Sequence, residues 1–528
     1  MGNEPEDLAI GSFSSEAPWI IDPDAIPWRR AVPGLRREIA RRLPELTRPR
    51  RLPPGVRVVR TVAAIGGALA AWAAGARRQG GSASVADLSR RLRLAAEALG
   101  PTYIKLGQII SSGEGIFPAE LVAEFRKCRD QVPPEPFTAV RGVVEEDLGQ
   151  PLEAVFARFE PVPLASASIA QVHLATLQSG EEVVVKVQRS SVADRVHRDL
   201  EVMAWIAPFT VGRIPVAALA NPPALVELFA ETITEELDFR IEAENMLEVA
   251  RAFAELDQRK YVVPRPHPTL VTPRVLVMER LSGFAFDDVA GMQGAGVDTE
   301  EVVRAGMIGF MEGALIHGVF HGDLHGGNLF VLPDGRTALL DFGIVGRLSQ
   351  PRRLAFLRLL LSATSNDVMG QLASLRDLGA LPPDTDLEAV VRDLGLDRPV
   401  VDPTTLDADQ LVAEMQRTVK ALLGIGARLP KELMLFIKNL VFLDGAIATL
   451  APDLDIIGEI GNVSMHFATA HGERLAAELG MDPADYQLDL TGVRASFGLD
   501  EDTGGPVTYR DLQRRREVIR SRLQRRPR

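Results

Sequence analysis

The chain has 528 residues, 46% hydrophobic and 25% charged, ordinary proportions for a globular protein and a length that admits roughly two to four domains. Its single cysteine, Cys128, excludes an internal disulfide framework and a cysteine-based zinc site. The net charge of −12 conceals two basic ends: eleven arginines against Glu38 and Glu45 in residues 29–60, and nine against Asp511 and Glu517 in residues 510–528. Basic ends on an acidic body suit an anionic membrane surface or nucleic acid. The C-terminal one reads equally well as a solvated tail, and the expectation is a membrane surface with no nucleic-acid partner.

In chain order, residues 1–20 are acidic and mixed, without the basic start and apolar run of a secretory signal. A cytoplasmic chain, peripheral at a membrane, is therefore expected. Residues 1–56 are rich in Pro and Arg and read as only partly ordered. Thr61 to Ala76 is an uncharged, Ala/Gly-rich run of 16 residues. As a helix it would reach about 24 Å, short of the roughly 30 Å hydrocarbon core, so a surface or buried helix is preferred to a span. These features make residues 1–80 a basic N-terminal segment.

Residues 81–150 read as a helical extension, broken near Gly100-Pro101 and Phe117-Pro118 and containing Lys105-Leu106-Gly107-Gln108. Residues 151–282 change to strand patterns. A small-residue loop, Leu164 to Ala170, precedes an alternating strand from Gln171 to Leu177. A Gln178-Ser179-Gly180 turn then leads to the strand Glu182–Gln188 with Lys186 among valines. A helical insert follows, then one long helix pattern from Pro223 to Phe253 carrying Glu236, Asp238 and Glu242. Arg274 to Leu281 is an apolar strand with a charged end, where Met278, Glu279 and Leu281 are candidate nucleotide contacts. Residues 283–475 are mainly helical, with Pro430 to Leu450 strongly apolar and core-like; residues 476–528 form a polar, Arg-rich tail.

The chemistry concentrates in His321 to Gly343. Asp323 follows a His by two positions, Asn328 comes five later, and a short strand, a Pro-Asp-Gly turn and a second apolar run lead to Asp341-Phe342-Gly343. This is the layout of a kinase catalytic loop and its metal-binding successor. Phosphoryl transfer needs a carboxylate near the attacking oxygen, here Asp323, and oxygen ligands that hold Mg²⁺ against ATP, here Asn328 and Asp341. Lys186 fits the phosphate-binding lysine, since a lysine among valines needs an anionic partner, and Glu242 is the first choice for its carboxylate. Gly322 stands where ordinary protein kinases carry an Arg that reads an activation-loop phosphate.

Together these motifs resemble the UbiB/AarF/ADCK group of atypical kinases over residues 85–455. K-L-G-Q at Lys105–Gln108 is similar to the group's K-x-G-Q, and Ala165–His173 resembles its Ala-rich replacement for the Gly-rich loop. E-L-D-F-R-I-E-A at Glu236–Ala243 is similar to its E-x-D and helix Glu, and L-A-P-D-L-D at Leu450–Asp455 resembles the end of its second lobe. The resemblance implies an α+β, two-lobed, protein-kinase-like fold under an N-terminal helical extension that occludes a protein substrate. It implies that Lys105 pairs with Glu236 or Asp238, with Gln108 in the same occluding group. Ala165, Ser166, Ala167 and Ser168 would lie over the phosphates, Ser166 adding a hydroxyl there. It also implies ATP and Mg²⁺ as cofactors, ATPase more than protein kinase activity, and a lipid-like or isoprenoid quinone precursor as partner. Gly322, Leu324 and Gly326 replace the A, P and P of the group's H-A-D-P-H-P-G-N. A conventional protein kinase and a nucleotide-binding scaffold without catalysis are the alternatives; Gly322 and K-L-G-Q speak against the first.

Overall fold

The structure is a computed structural model that describes residues 25–49, 52–75, 81–111, 117–128, 132–210, 222–365, 367–396, 425, 427, 430–480, 507–514 and 517. Most of the basic C-terminal end and residues 1–24 lie outside them. The chain divides into two compact units: Met1–Ala250 with Val263–Leu281 and Asp341–Ile344, and Arg251–Val262 with Ser282–Leu340 and Val345–Arg528.

The first unit is built on an antiparallel sheet ordered β1 (Phe156–Phe159), β3 (Ala170–Leu177), β4 (Glu182–Gln188), β7 (Val275–Glu279), β6 (Pro266–Val271). A two-residue strand, β2 (Ala165–Ser166), pairs with β3. Alternation decides the faces. Val183, Val185 and Val187 of β4 join Val275 and Val277 of β7 in a core closed by Val140, Val143 and Val144 of a helix, Phe137–Leu148. Lys186 therefore points from the opposite face. The helices of this unit include α1 (Val32–Leu46), α2 (Arg57–Ala74), α3 (Gly81–Leu99), α4 (Pro101–Ser111), α5 (Ala119–Phe125), α6 (Phe137–Leu148), α7 (Leu152–Val155), α8 (Val192–Thr210), α9 (Pro222–Glu236) and α10 (Phe239–Glu255), whose last turn belongs to the second unit.

Two expectations change here. The long helix expected from Pro223 to Phe253 is two helices, because Leu237-Asp238 interrupts it: the Asp238 carboxylate accepts the Arg240 amide at 3.1 Å and the Phe239 amide turns to Pro273 at 3.0 Å. Side-chain capping of this kind competes with helix continuation. Residues 27–46 are helical rather than loosely ordered, because their charges are used. Arg29 holds Glu244 at 2.6 Å, Arg36 holds Asn245 at 2.7 Å and Trp28 is buried.

α2 begins four residues before the uncharged run and ends at Ala74. It is tied by Thr61 to Tyr103 of α4 and by Trp72 to Ser84 of α3. Among the described residues two helices are long and apolar enough to cross a membrane, α2, 11% buried, and Lys431–Leu450, 50% buried.

The second unit holds a small sheet ordered β5 (Tyr261–Val262), β11 (Thr337–Leu339), β10 (Leu329–Val331), β8 (Phe284–Ala285) and a pair of β9 (Val319–His321) with β12 (Val345–Arg347). Its helices are α11 (Val289–Gly294), α12 (Thr299–Met311), α13 (Gln350–Thr364), α14 (Val368–Asp377), α15 (Leu387–Leu394), α16 (Lys431–Leu450) and α17 (Ile456–Leu479), with one π turn at Glu312–His317. Asp298, Asp367 and Asp386 cap three of them with their carboxylates. Phe436 of α16 lies 5.2 Å from Phe310 and 4.9 Å from Phe356, ring centre to ring centre, so α16 is a core helix as its composition suggests.

Candidate kinase-like site

In the first unit Lys186 and Glu242 form a buried ion pair at 2.8 Å, and Lys186 also reaches Asp341 at 3.1 Å. The Phe239 ring lies 5.5 Å from the ammonium. Burial works against the charge on Lys186, but attraction to Asp341 and Glu242 outweighs it and raises its pKa. Asp341 has a φ of 54°, a left-handed conformation rare outside glycine. The Asn245 side chain fixes the turn by donating to the Phe342 carbonyl at 2.7 Å, with Phe342 itself fully buried.

A second ion pair joins this group. Lys105 of α4 meets Glu236 at the end of α9, 3.0 Å apart. Asp238, the other candidate partner, is committed to Arg240. Burial lifts the Glu236 carboxyl to about 7; Lys105 opposes the rise and Asp341 adds to it. Gly343 permits the close approach, since a Cβ there would stand 3.3 Å from Glu236 Cγ. Gly107 has a similar reason: a Cβ would lie 2.5 Å from the Phe125 ring of α5. Gln108 lies on the same helix, three residues from Lys105, and its carbonyl accepts the Ser111 hydroxyl.

In the second unit the loop after β9 is knitted by hydrogen bonds. The His321 Nε2–H donates to the Leu340 carbonyl at 3.1 Å, which leaves Nδ1 to accept the Asp323 amide at 3.2 Å. Asn439 of α16 accepts the Leu324 amide at 3.1 Å and donates to the His321 carbonyl, bracing both sides of Asp323. Lys438, its neighbour, forms an ion pair with the Asp323 carboxylate. Asn328 is buried and donates its amide to the Asp323 carbonyl at 3.1 Å. That leaves its carboxamide oxygen as the acceptor end. A carboxamide oxygen is a hard donor of the kind Mg²⁺ accepts, and so is the Asp341 carboxylate of the first unit, so each residue by its chemistry fits that metal.

The ABC1 atypical kinase-like domain matches residues 127–374. An uncharacterized protein of Mycobacterium tuberculosis is 38% identical over 71% of this chain and 78% of its own length. An uncharacterized aarF domain-containing chloroplastic protein kinase of Arabidopsis thaliana is 33% identical over 69% and 72%, and a probable protein kinase UbiB of Marinobacter nauticus is 33% identical over 69% and 67%. The chain belongs to the ABC1 family of atypical kinase-like proteins. Its fold is the α+β kinase-like fold of that family.

In this ABC1 protein the small-residue loop is held from below. Ser166 continues β2, and Ala167 closes a turn by donating to the Ala170 carbonyl at 2.8 Å. Buried Arg189 donates to the Ala167 carbonyl at 3.0 Å and to the Ser166 hydroxyl at 2.8 Å. The Ser166 hydroxyl expected at the phosphates is thus already engaged. Ser168 is buried beside the turn, and Ala165 pairs with Val172. Met278 and Glu279 end β7, the Arg265 amide donating to the Glu279 carboxylate at 3.3 Å, and Leu281 follows, half-buried.

Lys438, Asn439 and Arg189 were not legible as site residues. Lys438-Asn439 did carry a signal, two adjacent polar residues between the apolar runs Leu433–Ile437 and Leu440–Leu443, and buried polar groups are the informative exceptions in a core. A further polar cluster, buried Glu312 with His466 at 2.8 Å and His471 at 3.0 Å, is completed by Gln258 at 3.0 Å. Three side chains thus converge on that one carboxylate.

Proposed function

We propose that this ABC1 chain is an ATP-dependent atypical kinase or ATPase that binds Mg-ATP. The observation that carries the reading is the Lys186–Glu242–Asp341 group, a buried cation balanced by two carboxylates of which one is about half exposed. In the proposal Lys186 binds the α/β-phosphates and Glu242 holds it in place. Asp341 and Asn328 are the metal ligands. Mg²⁺, when bound, neutralises phosphate charge as the bond to the leaving group lengthens. Asp323 orients or deprotonates the attacking oxygen, with Lys438 paired to its carboxylate. Ala165 to Ser168 cover the phosphates, and Met278, Glu279 and Leu281 line the base.

The Lys105–Glu236 pair supports an occluding role for the K-L-G-Q helix, with Gln108 and Asp238 in the same group. The substrate proposed is lipid-like, an isoprenoid quinone precursor being the class the motif resemblance implies, and the proposed location is the surface of an anionic membrane. ATP hydrolysis by the purified chain, with and without anionic vesicles, tests the reading. Turnover that needs Mg²⁺ and vanishes in Asp323→Asn supports it; nucleotide binding with no turnover under either condition would replace it with a non-catalytic scaffold.

A further inference from the structure

A concave site of about 390 Å³ lies within the first unit, away from any motif of the sequence. Arg57 and Arg60 come from the first turn of α2, Arg195 and Arg198 from α8, and Ala98 to Gly100 from the junction of α3 and α4. Arg57 is neutralised by Asp199 at 2.6 Å and is anchored to the Leu99 carbonyl at 2.8 Å. Arg60 donates only to a carbonyl, that of Ala98 at 2.7 Å. Among the described residues no carboxylate pairs with Arg60, Arg195 or Arg198. Three guanidinium groups thus line one small cavity, and an anion placed among them would relieve their mutual repulsion. Guanidinium groups match phosphate oxygens in geometry as well as charge. The start of α4 at Gly100 adds the positive end of a helix.

The chain around two of these arginines narrows the class of anion. Leu52, Val56, Val59 and Val62, 77%, 87%, 68% and 48% exposed, precede or alternate with Arg57 and Arg60 on the start of α2 and the turn before it. A soluble phosphate gains nothing from exposed apolar side chains on the helix that carries its arginines. Apolar side chains beside unpaired arginines are the pattern of a surface that meets lipid at the headgroup level. We infer that Arg60, Arg195 and Arg198 bind the phosphate of an anionic phospholipid while Leu52, Val56, Val59 and Val62 enter the interface. This rests on the membrane location proposed above and gives it a specific site; it does not depend on nucleotide chemistry.

The test uses the full chain and vesicles of phosphatidylcholine with or without phosphatidylglycerol. Arg195→Ala/Arg198→Ala removes two charges from the cavity and leaves the Arg57–Asp199 pair. Arg41→Ala/Arg42→Ala on α1 removes the same charge elsewhere. The first variant should bind phosphatidylglycerol vesicles about thirtyfold more weakly, the equivalent of about 1 kcal/mol per arginine, and the second should bind nearly as the parent does. Mg-ATP affinity, measured in parallel, should be unchanged in both, which separates a failed lipid site from a failed nucleotide site. Equal losses in the two variants, or none in the first, would overturn the cavity assignment. If inorganic phosphate binds the parent but not Arg195→Ala/Arg198→Ala, while both bind phosphatidylglycerol vesicles equally, the anion is a soluble phosphate and the lipid assignment fails.

Discussion

In the first unit charges hold charges: Lys186 is balanced by Glu242 and Asp341, and Lys105 by Glu236. In the second, the loop carrying Asp323 is held mostly by neutral groups, the Asn439 carboxamide and the His321 ring, with the Lys438–Asp323 pair the exception. The two designs fail differently. Removing one member of a buried ion pair leaves its partner charged and unpaired, costing about 3–5 kcal/mol. Removing a neutral clamp leaves backbone groups unsatisfied, about 1–3 kcal/mol each. Charges in the first unit can therefore serve an anionic ligand by exchanging partners, whereas the second unit's loop depends on its geometry.

Substitutions that invert one design and leave the other intact sharpen this contrast. The largest effect is expected from Lys186→Met, which should weaken ATP binding by at least about a hundredfold, since a charge-assisted phosphate contact and the balance of two carboxylates are lost together. A nucleotide titration checks it. Next, Asn439→Leu should destabilise the chain by about 2–4 kcal/mol in chemical unfolding, because the His321 carbonyl and the Leu324 amide lose their partner. Lys186→Met should leave the second unit's packing as it is, and Asn439→Leu should leave the Lys186 ion pair in place.

The third prediction concerns pH. The Glu236 carboxyl is raised from 4.5 to about 7 by burial. A group raised in the folded state contributes stability that is full below its unfolded pKa and is lost as pH rises through the folded one. Glu236→Gln removes that dependence. Stranding Lys105 costs the variant stability at every pH, but between pH 4.5 and about 7 the difference from the parent should move in the variant's favour, by on the order of 3 kcal/mol across the window. Unfolding curves below and above the window measure the difference, and a parallel pH profile in both proteins would contradict it. The smallest effect is that of Gly107→Ala. The Phe125 ring must shift to admit a Cβ, at a cost of about 1–3 kcal/mol, and Lys105 moves with its helix. A small fall in thermal midpoint with a weakened pH response at Glu236 is the expected outcome.

How much of this was readable in the sequence follows from what each element depends on. The valine alternation around Lys186 fixes a strand and its faces locally, so β4 runs from Glu182 to Gln188 as expected. Asp323, Asn328 and Asp341 are separated by short strands and turns, and their spacing is itself the signal. Glu242 was found as the partner of Lys186 because the motif order narrowed the choice. The break at Leu237-Asp238 was missed because Asp238 acts through a cap on Arg240, and a hydrophobic pattern that continues across the cap hides it. The arginines of residues 29–42 read as part of a basic, membrane-facing segment, yet Arg29 and Arg36 reach Glu244 and Asn245 more than 200 positions away. Arg189 falls under the same limitation: its partners come from other segments, and no local pattern announces them.

Asp341, paired with Lys186, is proposed above as a metal ligand for a bound nucleotide. Calorimetric titration of the parent and of Asp341→Asn with ATP, each with and without Mg²⁺, tests it most directly. Tight, Mg²⁺-dependent binding is expected of the parent, and of the variant a folded chain whose residual ATP affinity no longer responds to Mg²⁺. An Asp341→Asn chain that binds Mg-ATP as tightly as the parent would contradict it.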